Sequence, residues 1–189
     1  MDQQLYGENE LVKKALESLE NFVPLYKFYQ KKVYNYCYYR LPTEQDAEDV
    51  TSQVFINALN AFANKQFQNT DEFSFKAWLF RIAHNLVVDF YRDKSRYRTI
   101  EIDENIVDDE SVCKDIEDHL DETNSVERII LILKRFDDYT QSIFVLKLRE
   151  DMSFEEISQV IGLDISTVKM KYYRALKLIK RIVSDEANY

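Results

Sequence analysis

The stretch 153–183, SFEEISQVIGLDISTVKMKYYRALKLIKRIV, constrains this chain more than any other. Ser153 and Glu156 stand at the S-x-x-E spacing of a capping box, which predicts a helix start. Ile157, Val160 and Ile161 give that helix an apolar face, and Gly162 interrupts the pattern. The chain has only two glycines in 189 residues, so one placed here is informative. A second helix is expected from about Ser166. A short helix, a glycine turn and a longer basic helix are the pattern of a helix-turn-helix.

At about 100° per residue, Val168, Tyr172, Ala175, Ile179 and Val183 share one face of the second helix. Met170, Tyr173, Arg174, Lys177 and Arg181 lie on another. Between 163 and 183 stand six bases (Lys169, Lys171, Arg174, Lys177, Lys180, Arg181) and one acid, Asp164, a net of +5. Alone, a basic helix is as easily a solvated face as a binding one. Behind a helix-turn-helix it points to DNA.

Two glycines, two prolines and 46% hydrophobic residues favour long helices and leave few turn residues for hairpins. The expected class is therefore all-α, and 189 residues suit one or two domains. The aliphatic run 129–133 is far too short to span a bilayer. No secretion signal is recognised, so a cytoplasmic protein is expected. Cys37 and Cys113 read as reduced structural thiols. With two histidines, no Cys-x-x-Cys and no glycine-rich phosphate loop, neither a metal, a cofactor nor a catalytic set is expected.

A net charge of −9 seems to oppose DNA binding until its distribution is considered. The segment 101–127 holds twelve acids and one base, Lys114, for a net of −11, so the other 162 residues carry +2. The acidity is confined to one place, and the DNA-facing parts can be basic.

Residues 1–20 are polar, with weak helical spacing in Leu11, Ala15, Leu16 and Leu19, and suit a short helix or a loose arm. Over 21–41 the aromatic density predicts a buried helix, with Pro24 in its first turn and Leu41-Pro42 ending it. A second helix is expected over 43–64, started by Thr43 and Asp46, with Ala47, Val50, Val54, Ala58 and Ala61 inward. Asp46, Asp49, Gln53, Asn57 and Asn60 share another face, either solvated or an acidic surface for a basic partner. A polar loop over 65–74 carries Phe67 and Phe73. A third helix over 75–95 has Phe75, Leu79, Ile82, Leu86 and Phe90 as its core stripe. Ser74, Arg81, Asn85 and Arg92 form its polar stripe, bordered by Trp78. Six bases against two acids over 76–98, beside a polar loop, suit single-stranded nucleic acid, although a plain helical core also fits. The acidic stretch 101–124 has no clear period and reads as a flexible linker. Helices with Val126, Ile129, Ile130, Leu133 and Phe136, then over 138–149, complete a four-helix C-terminal domain.

Taken in order, the aromatic helix, DAEDVTSQVFINAL (46–59), FSFKAWLFRIAHNLVVDFYR (73–92), the acidic linker and the helix-turn-helix resemble a bacterial sigma factor of the extracytoplasmic-function (ECF) type. That family keeps two conserved regions, here 21–98 and 125–189, flanking a linker at 99–124 and preceded by an extension at 1–20. The resemblance implies that Asp46, Asp49, Gln53 and Asn57 dock on the basic clamp helices of core RNA polymerase, with the flap as a second contact. It implies that Phe67, Asn69, Asp71, Ser74, Arg81, Asn85 and Arg92 open the −10 element and capture a flipped base. Trp78 is expected in the core instead. Ser166, Lys169, Met170, Lys171, Tyr173, Arg174 and Lys177 would read the −35 element. An anti-sigma factor is a further implied partner, and membrane insertion is not expected. The family pattern Thr-Val-Lys-Ser-Arg is here Thr167-Val168-Lys169-Met170-Lys171: methionine cannot donate a hydrogen bond, and Lys171 lacks the arginine fork. The competing reading is a conventional regulator that binds duplex DNA without polymerase and uses its N-terminal helices to dimerise or sense.

Overall fold

A computed structural model describes the backbone of residues 2–67, 74–95 and 132–186, and the side chains of 8–67, 74–92 and 132–180. The described elements are helices α1 (Asp2–Glu17), α2 (Phe22–Arg40), α3 (Glu44–Ala63), α4 (Phe75–Ser95), α5 (Asp138–Leu148), α6 (Phe154–Ile161) and α7 (Ile165–Glu186). A 3₁₀ turn, Leu19–Asn21, separates α1 from α2. The linker 99–124 lies outside the described residues, as do Asn69, Asp71, Phe73 and Cys113.

Helix α1 differs from the expected stripe. Val12 and Ala15 are buried, whereas Leu16 and Leu19 are exposed. The helix stops at Glu17, and Ser18 caps the separate 3₁₀ turn, which puts Leu19 out of register.

Helices α2, α3 and α4 pack around aromatic side chains. From α2, Leu25, Tyr29, Val33, Tyr36 and Cys37 point inward at three- and four-residue spacing. The helix ends as Leu41 turns extended before Pro42. Burial pushes the Cys37 thiol up to about 11, so it stays an unreactive core group. Thr43 caps α3 by accepting from the Asp46 amide. Ser74 caps α4, its hydroxyl accepting from the Ala77 amide at 3.1 Å.

The C-terminal helices are each punctuated as their sequence implies. Asp137 caps α5 through the Tyr139 and Thr140 amides. Ser153 and Glu156 form both halves of the capping box on α6. Gly162 ends α6 in the left-handed conformation at φ 72°, which releases the chain into α7. Val168, Ala175 and Ile179 form the buried face of α7.

The two halves also touch, which periodicity alone does not foretell. Helix α4 packs on α3 and α2 and also meets α6, while α5 meets α2. Buried residues of both halves join in one apolar cluster. Through that cluster runs a polar seam. The hydroxyls of Tyr36 and Ser142 and Nδ1 of His84 lie within 3.0–3.3 Å of one another. Beside them the buried Arg40 guanidinium donates to Asp138 at 2.9 Å and to Gln141. Tyr91 donates its hydroxyl to the Arg40 carbonyl. Lys76 donates to the Glu150 carbonyl at 2.6 Å, and Arg149 stacks 4.6 Å over the Tyr39 ring. Among the described residues no helix is long and apolar enough to cross a membrane.

Candidate nucleic-acid interface

The outward side of α7 is the clearest surface. Asp164 starts the helix by accepting from the Thr167 amide at 2.9 Å and from the hydroxyls of Ser166 and Thr167. Those hydrogen bonds hold its carboxyl well below the usual carboxylate range. Ser166, Lys169, Met170, Tyr173, Arg174 and Lys177 are exposed together, so six of the seven residues expected there share an open face. The Ser166 hydroxyl spends its proton on Asp164, which leaves it an acceptor rather than a donor.

Lys171 departs from the expectation. It is half-buried and reaches Asp137 at 3.4 Å, tying α7 to the cap of α5. Burial works to raise the Asp137 carboxyl, but hydrogen bonds from Thr140 and the Lys171 charge outweigh it and leave the group lowered. Lys171 is thus a strut beneath the exposed face of α7.

Helix α4 presents a second surface. Arg81, Asn85 and Arg92 are exposed along one line, and Arg92 pairs with Asp89 at 2.9 Å. Ser74, half-buried, is committed to the helix cap. Phe67 is a correction: it is 4% exposed, not part of an open loop. Its ring stacks on Phe62 at 5.0 Å and lies 4.5 Å from Trp78 and 5.5 Å from Phe75. The polar neighbours at 65–74 concealed this, because four aromatics from three segments meet only in space. Trp78 packs half-buried against the same core, as expected.

On α3, Asp49 and Gln53 are exposed and Asp46 and Asn57 are half-exposed on one face. Gln53 donates to Asn57 at 2.8 Å, and Asp46 accepts from the Thr43 hydroxyl at 2.6 Å. No fixed cation covers Asp49 among the ion pairs of the described residues.

A helix-turn-helix with an exposed basic face, packed on a helical module that carries an exposed polar stripe, is the architecture of a sigma-type protein. Residues 25–97 match the family model Sigma-70 region 2, and residues 140–179 match Sigma-70, region 4. The ECF RNA polymerase sigma factor BldN of Streptomyces coelicolor is 32% identical over 179 residues, 94% of this chain; the chain spans 66% of that relative's length. The RNA polymerase sigma factor YlaC of Bacillus subtilis is 28% identical, covering 89% of this chain and 93% of its own. The ECF RNA polymerase sigma factor SigW of Bacillus subtilis is 27% identical, covering 93% and 98%. Among solved structures, CnrH in complex with the cytosolic domain of CnrY aligns with a TM-score of 0.67 at 21% identity, covering 94% of this chain and 97% of CnrH. The sigma factor RpoE in complex with the anti-sigma factor NepR from Bartonella quintana aligns with a TM-score of 0.65 at 15% identity, covering 87% and 98%. At these identities the solved structures speak for the fold. The chain belongs to the sigma-70 family, and within it to the ECF type.

Proposed function

We propose that this chain is a specificity subunit that binds core RNA polymerase, directs it to promoters and helps to open the DNA. The exposed basic face of α7 supports reading of the −35 element in the major groove. Arg81, Asn85 and Arg92 on α4 support capture of the opened −10 strand, where amides meet base edges and guanidinium groups meet phosphates. Asp46, Asp49, Gln53 and Asn57 support docking on a basic polymerase surface. In this reading the chain works in the cytoplasm, polymerase supplies all of the chemistry, and an anti-sigma partner holds the chain in reserve, as NepR is paired with RpoE.

The observation that carries the proposal is the three separate exposed faces on α3, α4 and α7 of one chain with regions 2 and 4. A regulator of duplex DNA needs only the last. The direct test is run-off transcription with purified core enzyme on genomic promoter fragments. Promoter-specific transcripts are expected, and silence on every fragment rejects the proposal. Asp49→Arg reverses a charge on the docking face while touching no core contact. It should lower core-polymerase affinity while circular dichroism stays unchanged; unaltered affinity moves the docking surface elsewhere.

A further inference from the structure

Met170 stands nearly opposite Val168, Ala175 and Ile179 around α7. It therefore sits at the centre of the outward face, within the first two turns of the helix. That part of a recognition helix meets base edges. Its side chain is 43% exposed, and the neighbouring Tyr173 is 57% exposed. Exposed Lys169 and Arg174 lie on either side of this apolar centre, and Lys177 follows it two turns along the same line. Such a distribution fits a duplex: cations take the two phosphate rims, and an uncharged patch meets the base-pair edges between them.

We propose that Met170 is a specificity-determining residue that reads a thymine methyl group in the −35 element. The inference rests on the polymerase-directed function above and deepens it. Methionine has no donor, and its sulfur is a weak acceptor. Among the groups that base pairs display in the major groove, the C5-methyl of thymine is the apolar one. The other edges offer donors and acceptors that Met170 would strip of water without replacing the hydrogen bond. A flexible, polarisable side chain can follow that methyl group through small shifts of the helix. Serine at this position, as in the family pattern, would instead favour a polar edge, so the substitution moves the preference of this chain toward thymine.

The test removes only the methyl group. Duplexes are selected from a random library by the reconstituted holoenzyme. Each thymine of the −35 element is then replaced in turn by deoxyuridine, and affinity is measured. One position should lose about four-fold, the worth of burying one methyl-sized group. With Met170→Ala that difference should vanish, and with Met170→Leu it should persist. Arg174→Ala should weaken thymine and deoxyuridine duplexes alike. A wild-type holoenzyme that initiates transcription yet ignores every such replacement overturns this inference and leaves the proposed function standing. So does a methyl dependence that survives in Met170→Ala. Failure of the chain to form a holoenzyme at all overturns the proposed function, and this inference with it.

Discussion

Phe67 shows how a single residue can change sides. In sequence it belongs to a polar loop beside the polar stripe of α4; in space it stacks on Phe62 and meets Trp78 and Phe75. Aromatic pairs of this kind add to the burial of large apolar surfaces. Phe67→Ala should therefore destabilise the chain by about 3–5 kcal/mol in urea unfolding. A variant of full stability that is defective only in promoter opening would return Phe67 to the DNA-facing set. His84 makes a second case. Burial, with repulsion from Arg40, lowers its pKa to about 4, while Asp138 offsets a little of that shift. Around the ring stand Tyr36 from α2, Ser142, Asp138 and Tyr139 from α5, and Arg40 from the end of α2. The neutral ring is favoured in the folded state, so its stabilisation is complete above the unfolded pKa of about 6.5 and is lost as pH falls toward 4. Thermal midpoints of the wild type should drop between pH 6.5 and pH 5. His84→Asn keeps an acceptor near Nδ1 and cannot take the proton; its midpoint should change less over that interval. Equal slopes would mean that other groups govern the pH dependence.

At the level of the helices, punctuation was readable because its chemistry is local. Thr43, Ser153 with Glu156, and Gly162 all act within a few residues of themselves, and each stands where the spacing placed it. Gly162 makes the sharpest test. Nothing lies within 4 Å of where a Cβ would stand, so the cost of substitution is conformational and not steric crowding. At φ 72°, Gly162→Ala should cost about 1–2 kcal/mol, and Gly162→Asn less. Denaturant midpoints check this; equal stability of the alanine variant would mean that the turn relaxes out of the left-handed region. Amphipathic stripes were readable for the same reason on α3 and α7, but on α4 the expected Ile82, Leu86 and Phe90 are only half-buried while Phe80, Ala83 and Val87 lie in the core. On α1, Leu19 continues a spacing that the backbone abandons at Ser18, and Leu16 stays exposed although the helix runs on to Glu17.

At the scale of the molecule, the seam between the halves is the main feature that periodicity could not supply. Arg40 is the last residue of an aromatic helix, and Asp138 lies 98 positions further on. Nothing in either neighbourhood marks them as partners. The pair is asymmetric: the Arg40 side chain is wholly buried, whereas that of Asp138 is about half exposed. Losing Asp138 leaves a buried guanidinium short of an acceptor, whereas losing Arg40 leaves a carboxylate that water can reach. Asp138→Ala should therefore destabilise the packed halves more than Arg40→Met, which keeps most of the buried volume without the charge, by roughly 1–3 kcal/mol for the aspartate. Differential scanning calorimetry of both variants decides it, and the reverse order would refute this account of the seam. The seam also explains why α4 is buried on two sides while Arg81, Asn85 and Arg92 remain exposed on a third.

The sequence by itself determined the helical class, the helix-turn-helix, its basic outward face and the order of segments that carries the family. These depend on spacing within a few turns and on local charge, both of which a linear string records. Only the tertiary structure decided that Phe67 is core, that Lys171 is a strut to Asp137, and that Tyr36, His84 and Ser142 close on one another between the halves. Each of those outcomes depends on a partner from a different element, and a residue's own surroundings in sequence do not say which distant surface will remove it from water.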